Sequence, residues 1–382
     1  MPKPKLVRVT TVPLSLEKLL ENQLAFMQEY YDVTAISSDK DRLEKFGKSQ
    51  GVETFHLDLT RKITPLHDLR TLYYLYRFLS KEKPKIVHTH TPKAGIVGML
   101  AAYLAGVPSR LHTVAGLPLM EAKGAKRWLL KTVEKWTYRL ATHVFPNSMG
   151  LQDFIISEKL AIQSKLKVLG NGSSNGIDTA YFNPSLYDDD FKQKERASLG
   201  ITDTDFVFVF VGRLVNDKGI NELVHAFESL SRKNDSVSLL LVGPFEPDLD
   251  PLKQNTLQII EAHPKIYTTG YQVDVRAYFA ISNALAFPSY REGFPNVVMQ
   301  AGAMGLPSIV SDINGCNEII THGVNGLVIP VKNQLALQEA MQTMLLDSNQ
   351  IENMGAVSKQ YINNHFDQEQ FWNVLLKLYQ QL

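Results

Sequence analysis

Phe206-Val-Phe-Val-Phe-Val-Gly-Arg-Leu-Val-Asn-Asp-Lys-Gly-Ile220 is the stretch on which the reading of the fold turns. An unbroken run of aromatic and β-branched residues, closed by Gly212, has the length and composition of a strand buried on both faces, as in parallel sheets. A polar loop carrying Arg213 and Lys218 follows, and Gly219 opens a helical pattern over 219–232. Outward from this βα unit the rhythm repeats. Strands are expected at 6–12, 33–37, 86–90, 110–113, 143–146 and 166–169, then at 206–211, 238–242, 266–268, 284–287, 307–311 and 326–329. Amphipathic segments such as 16–29, 67–80, 94–105, 126–141, 273–282, 295–304, 334–345 and 368–381 fill the gaps. Alternation of this kind implies an α/β protein with parallel sheets covered on both faces. That many strands exceed one compact sheet, so two Rossmann-like, doubly wound domains are expected, at 1–182 and 201–365. A linker is expected over 183–200, where Asn183-Pro-Ser185 and Asp188-Asp-Asp190 break the pattern, and a final helix lies within 366–382.

Composition narrows the class. The 382 residues are 44% hydrophobic and 21% charged, which excludes global disorder. The single cysteine, Cys316, excludes an internal disulfide or a zinc–cysteine cluster. The longest nearly apolar run, 96–107, is too short to span a bilayer. The N-terminus turns into a strand pattern where a signal peptide would need its apolar stretch, so a cytoplasmic protein is expected. The net charge of +1 hides polarity: residues 1–182 hold 26 Lys/Arg against 16 Asp/Glu, and 183–382 hold 14 against 23. No nucleic-acid motif accompanies the basic half, so a weak contact with anionic membrane surface or a diphosphate substrate is the expected partner.

In open parallel sheets ligands bind at the carboxyl ends of strands, so two facing sheets would hold a site in the cleft between them. Arg213 and Lys218, just after the 206–211 strand, form an anion cradle with the helix amides behind them. A second segment, Tyr290-Arg-Glu-Gly-Phe-Pro-Asn-Val-Val-Met-Gln-Ala-Gly-Ala-Met-Gly-Leu-Pro307, puts Glu292 and Gly293 in the loop after the 284–287 strand. Pro295 suits a first helical turn, and the N–H groups near Asn296 and Val297 would point into the cleft.

Together these segments closely resemble glycosyltransferase family 4, retaining and nucleotide-sugar-dependent enzymes of the GT-B fold. The resemblance is carried by Gly212-Arg-Leu…Lys218-Gly, Glu292-Gly-Phe-Pro, Ala301-Gly-Ala-Met-Gly-Leu-Pro-Ser-Ile-Val and Glu318-Ile-Ile-Thr-His-Gly-Val-Asn-Gly-Leu-Val. It extends to His90-Thr-Pro-Lys-Ala-Gly and Asn175-Gly-Ile-Asp-Thr in the first half. It implies that Arg213 and Lys218 hold a donor diphosphate, that Glu292 bonds the donor sugar's hydroxyls, and that Gly212, Gly293, Phe294, Asn296 and Val297 contact sugar and phosphates. Tyr271, after Gly270, is at the usual place for the base. The second glutamate of the family's paired motif is Gln300 here, which still offers an acceptor to a ribose hydroxyl. Where the family often has a histidine before a glycine, this chain has Ala115-Gly116, which leaves His90, Lys93 and His112 as first-half candidates. The Lys-Ala-Gly loop is similar to that of transferases acting on polyprenyl diphosphate carriers. The resemblance therefore implies hexosyl or N-acetylhexosaminyl transfer from a nucleoside diphosphate sugar, UDP-linked by first expectation, to a glycan or lipid-linked glycan. It implies no metal or cofactor, and a last helix that crosses back to the first domain. A nucleotide-sugar epimerase and a non-catalytic sugar-nucleotide-binding subunit share the same fold and are the alternatives.

Other patterns are read as structural. Asp203/Asp205 and Asp248/Asp250 read as solvated turn acids, and His88 with His90 as packed or cleft-lining residues. On the 126–140 helix, Leu129, Leu130, Val133, Trp136 and Leu140 share one arc and Arg127, Lys131, Lys135 and Arg139 the other. That pattern suits either a packed surface helix or an interfacial one.

Overall fold

The computed structural model describes residues 2–60, 64–120, 122–248 and 250–382. The chain forms two compact units, Met1–Gly176 with Glu369–Leu382, and Ile177–Gln368.

The first unit holds strands β1 (Lys5–Val9), β2 (Asp32–Ser37), β3 (Glu53–His56), β4 (Ile86–Thr89), β5 (Ser109–Val114) and β6 (His143–Pro146). All pair in parallel, in the order β3-β2-β1-β4-β5-β6. The second holds β7 (Phe206–Val211), β8 (Val237–Val242), β9 (Ile266–Thr268), β10 (Ala284–Phe287), β11 (Ser308–Ser311) and β12 (Gly326–Ile329), in the order β12-β11-β10-β7-β8-β9. Each sheet starts at its centre, runs to one edge, then returns beside the first strand and runs to the other edge. The chain therefore reverses direction between β1 and β4, and between β7 and β10. Loops leaving the carboxyl ends on either side of that point diverge and leave a crevice. The β7 stretch is a central strand, and Val207 to Phe210 are fully buried.

Several elements differ from the sequence reading for physical reasons. Glu53–His56 has polar ends and is an edge strand with partly exposed side chains, so no apolar run announces it. The 166–169 segment makes only a single bridge, Leu166 to Val144. Residues 183–200, expected as a linker, contain the helix Asp189–Leu199 of the second unit. The acidic run is that helix's N-terminus: the Asp188 side chain accepts from Phe191 N, and Asp189 and Asp190 lie in the positive first turn. Arg196 ties the helix down by donating to Ile281 O at 2.7 Å and Asn283 Oδ1 at 3.1 Å.

The helix Gln368–Gln381 packs in the first unit, where Trp372, Leu375 and Tyr379 join Leu6, Leu16 and Val33 in one core cluster. The helix Gly124–Leu140 is rotated from the expected face. It buries Glu134, Thr137 and Tyr138, while Trp136 and Trp128 are exposed. Its neighbour is the helix Pro92–Leu104, whose Gly95 lies close to Thr137, while Tyr138 enters the core and Leu130 and Leu140 pack on its edge.

Candidate active site

In the second unit the loops after β7, β8, β10 and β11 converge, and glycines let them touch. Gly212 and Gly243 leave β7 and β8 at φ +152° and +148°, and a Cβ on Gly243 would stand 1.8 Å from Gly212 O. No other residue fits there. Leu214 N then donates to Pro244 O at 2.8 Å, so the two loops continue as a pair. Across this pair Arg213 Nη1 donates to Glu246 Oε2 at 2.9 Å. The loop after β7 tightens into a 3-10 turn, Asn216–Lys218, and ends on Gly219, where a Cβ would meet Pro288 O at 2.2 Å. That approach brings the loop against the one after β10. Tyr290 N donates to Asp217 O at 2.9 Å and Arg291 Nη2 to Asp217 Oδ2 at 2.9 Å.

Lys218 Nζ meets Glu292 Oε1 at the centre of this arrangement, with each side chain only 16% exposed. The ammonium also lies 5.7 Å from the centre of the Phe287 ring. Ser289 Oγ donates to the same carboxylate oxygen at 2.8 Å. Asn314 Nδ2 donates to Gly293 O at 2.7 Å and Glu292 O at 3.3 Å, and Gly315, at φ +76°, lets the loop after β11 press on Gly293. The helix Asn296–Ala303 starts just beyond, with Pro295 as its N-cap rather than its first turn. Phe294 is core, its ring tilted against that of Phe366 with centres 5.4 Å apart, so only its backbone is available to a ligand. Gln300, one turn into that helix, is partly buried. Gly270 bridges Gly243 and leaves Tyr271 63% exposed near the end of β8. Burial, then the hydrogen bond to Glu222, raises the Tyr290 hydroxyl's pKa, so that group stays a neutral donor.

The fold thus gathers Gly212, Arg213, Lys218, Glu292, Gly293, Asn296 and Val297 around the crossover between β7 and β10. An anion held there would meet cations already oriented by carboxylates; a polyol would meet Glu292. Residues 22–172 match the family described as Glycosyl transferase 4-like domain, and 191–361 match Glycosyl transferases group 1. The capsular polysaccharide biosynthesis glycosyltransferase CapM of Staphylococcus aureus is 31% identical over 381 residues, spanning 99% of this chain and 97% of CapM.

The chain belongs to this glycosyltransferase family.

The UDP-Gal:alpha-D-GlcNAc-diphosphoundecaprenol alpha-1,3-galactosyltransferase of Escherichia coli is 32% identical to this glycosyltransferase over 337 residues, covering 86% of this chain and 82% of that one. In fold it resembles Anabaena HepE, solved with UDP and glucose, at a TM-score of 0.81, 18% identity and coverage of 99% and 100%. Each of its units therefore has the Rossmann-like architecture of the GT-B transferases.

The glycosyltransferase's first-unit candidates have structural partners. His90 lies just past β4 and is buried. Its Nε2 accepts from Arg8 Nε at 3.2 Å, which places its proton on Nδ1. Arg8, fully buried, also donates to Gln23 Oε1 at 2.6 Å and to Tyr379 OH at 2.9 Å, and Tyr379 OH lies 2.5 Å from His88 Nδ1. Burial and the neighbouring Arg8 hold His88 and His90 neutral. His112 is pushed down to about 3 by burial and bonds Thr89 Oγ1 at 2.7 Å. Lys93 pairs with Asp68 at 2.5 Å.

Sequence reasoning passed over Glu246, Ser289, Asn314 and Gly315. The Asn-Gly pair soon after β11 is the one local signal among them, since it marks a turn at a carboxyl end. Asp205, expected as a solvated acid, is buried against Ser238 Oγ at 2.5 Å and Lys265 Nζ at 2.7 Å. Among the described residues no group of three or more His, Cys, Asp or Glu stands close enough to hold a metal ion.

Proposed function

We propose that this glycosyltransferase moves a hexosyl or N-acetylhexosaminyl group from a UDP-linked donor to a hydroxyl of a lipid-linked glycan, with retained anomeric configuration and without a metal, in the synthesis of a cell-surface polysaccharide. The observation that carries the reading is the Lys218–Glu292 pair at the crossover of the second sheet. In the absence of donor each charge is offset by the other. A bound diphosphate competes for Lys218 and Arg213, and Glu292 is then released to accept from sugar hydroxyls. As the glycosidic bond breaks, charge grows on the leaving diphosphate, and two cations fixed beforehand stabilise it without reorganisation. A leaving phosphate oxygen takes the acceptor's proton. Relatives named for diphosphoundecaprenol-linked acceptors support the acceptor class. Nucleotide release from a panel of nucleotide sugars, with and without a polyprenyl diphosphate-linked glycan, tests the reading. Release that requires acceptor supports transfer, a new sugar formed without acceptor indicates an epimerase, and binding without turnover indicates a subunit.

The same acceptor class calls for contact with a membrane surface. No described helix is long and apolar enough to cross one. Trp128 and Trp136 on Gly124–Leu140 are 70% and 53% exposed beside Lys135 and Arg139, a composition suited to an anionic interface. Sedimentation with anionic vesicles at low salt, lost at high salt and absent with neutral vesicles, is the expected result.

A further inference from the structure

The strands of the second sheet lie side by side in the order β10, β7, β8, β9, and the loop leaving each carboxyl end carries a different chemistry. Glu292 follows β10, Arg213 and Lys218 follow β7, Glu246 follows β8, and Tyr271 follows β9. Under the donor reading above, on which this inference rests, Glu292 takes the sugar, the two cations take the diphosphate and Tyr271 lies toward the base. A nucleoside diphosphate sugar is itself linear: sugar, diphosphate, ribose, base. Laid along the carboxyl ends in that order, it brings its ribose to β8, between the cations and Tyr271.

Glu246 is the acid at that place, and the backbone fixes it there. Gly243 bridges Gly270 on one side; on the other, Leu214 N donates to Pro244 O and Leu214 pairs with Phe245. The next residue is thereby held beside Arg213, whose Nη1 donates to Glu246 Oε2 at 2.9 Å. These two side chains are 44% and 30% exposed, against 16% for each of Lys218 and Glu292. So wet an ion pair is weak and opens at little cost. A diphosphate that draws Arg213 to itself therefore leaves the Glu246 carboxylate for the next donors along the ligand, which are the ribose hydroxyls. A carboxylate accepts from a hydroxyl more strongly than a neutral group does. Gln300, on the helix Asn296–Ala303 beyond β10, offers only a neutral amide oxygen. The placement also has a general precedent. β7 is the first strand of its sheet and β8 the second in chain order, and in dinucleotide-binding units of this architecture an acid downstream of the first βα turn takes the ribose hydroxyl.

We propose that Glu246 binds the donor's ribose, accepting from its hydroxyls once the diphosphate has taken Arg213, and that it sets the preference for ribonucleotides over deoxyribonucleotides. The full chain is titrated by calorimetry with UDP, GDP and ADP, and the tightest of them is compared with its 2′-deoxy and 3′-deoxy analogues. Wild type should lose about tenfold or more in affinity when one of these hydroxyls is missing. Glu246→Ala should bind all three forms within about threefold of one another, with Glu246→Gln between. The ratio is the readout, because freeing Arg213 from its ion pair alters the affinity for all three forms together. Gln300→Ala should keep the wild-type ratio to within about threefold. An undiminished ratio in Glu246→Ala, a ratio abolished in Gln300→Ala, or a wild type indifferent to both hydroxyls overturns the assignment while leaving the donor reading intact. Failure of all three nucleoside diphosphates to bind wild type overturns the donor reading and this assignment with it.

Discussion

Replacing Lys218 with Met tests the centre of the proposed site, because two quantities that a purely structural lysine would not move together should change at once. In the free protein, Lys218 and Glu292 are both largely buried, and Ser289 Oγ also donates to the Glu292 Oε1 atom. Lys218→Met therefore leaves a carboxylate with one neutral donor in a partly dry setting. A charge-assisted bond of this kind contributes about 1.5–3 kcal/mol, so a loss of roughly 2 kcal/mol in urea unfolding is expected. Lys218→Met/Glu292→Gln should recover more than half of that loss, since no charge remains unpaired. Turnover at saturating donor should fall about 10²-fold or more, near 2.7 kcal/mol, as when one fixed donor to a developing anion is removed. The double variant should not recover it, because its recovered stability comes from removing Glu292's charge and not from restoring a cation. The assay is nucleotide release with saturating donor and acceptor, beside urea denaturation of wild type, both singles and the double. Near-normal turnover of Lys218→Met would remove the lysine from the mechanism. Unchanged stability in that variant would refute the claim that the pair organises the ligand-free site.

Gln300→Glu should change donor affinity by less than about tenfold, or 1.4 kcal/mol, because the stronger acceptor is offset by a second negative charge near Glu292 and the diphosphate. A silent wild type beside an active Gln300→Glu would instead identify a non-catalytic subunit. Glu134 is buried, and its pKa is pushed up to about 7, first of all by desolvation. Its raised value means stability that is full below about pH 4.5 and lost as pH rises through 7, by up to about 3 kcal/mol. Glu134→Gln should accordingly stabilise the protein at pH 8.5 and hardly at all at pH 4.5, read by denaturation at both; equal effects would contradict the burial argument. Tyr379→Phe removes a hydroxyl that accepts from Arg8 and bonds His88, and should cost about 2–4 kcal/mol of stability. A loss below about 0.5 kcal/mol would show that Arg8 finds another acceptor.

The residues alone determined the class of fold and the chemistry of the donor loops. Phe206–Val211 has no polar face, so only the middle of a parallel sheet can cover it, and Gly212, Arg213 and Lys218 must follow at its carboxyl end. Periodicity and turn chemistry are local, and these elements are specified locally. Tertiary structure decided what depends on partners distant in the chain. Asp188-Asp-Asp190 reads as a break until Arg196 fastens the helix behind it to Ile281. The helix Gly124–Leu140 carries a leucine arc, yet the side chains it buries most fully are Glu134, Thr137 and Tyr138, with Thr137 set against Gly95 of the neighbouring helix. His90 has the composition of a catalytic base, but the buried Arg8 guanidinium, 82 positions earlier, takes its free nitrogen. Lys218 and Glu292 lie 74 positions apart, and no pattern in either segment shows that one neutralises the other. Their meeting requires β7 beside β10, and the chain arrives at that neighbour only after building the outer edge of the sheet.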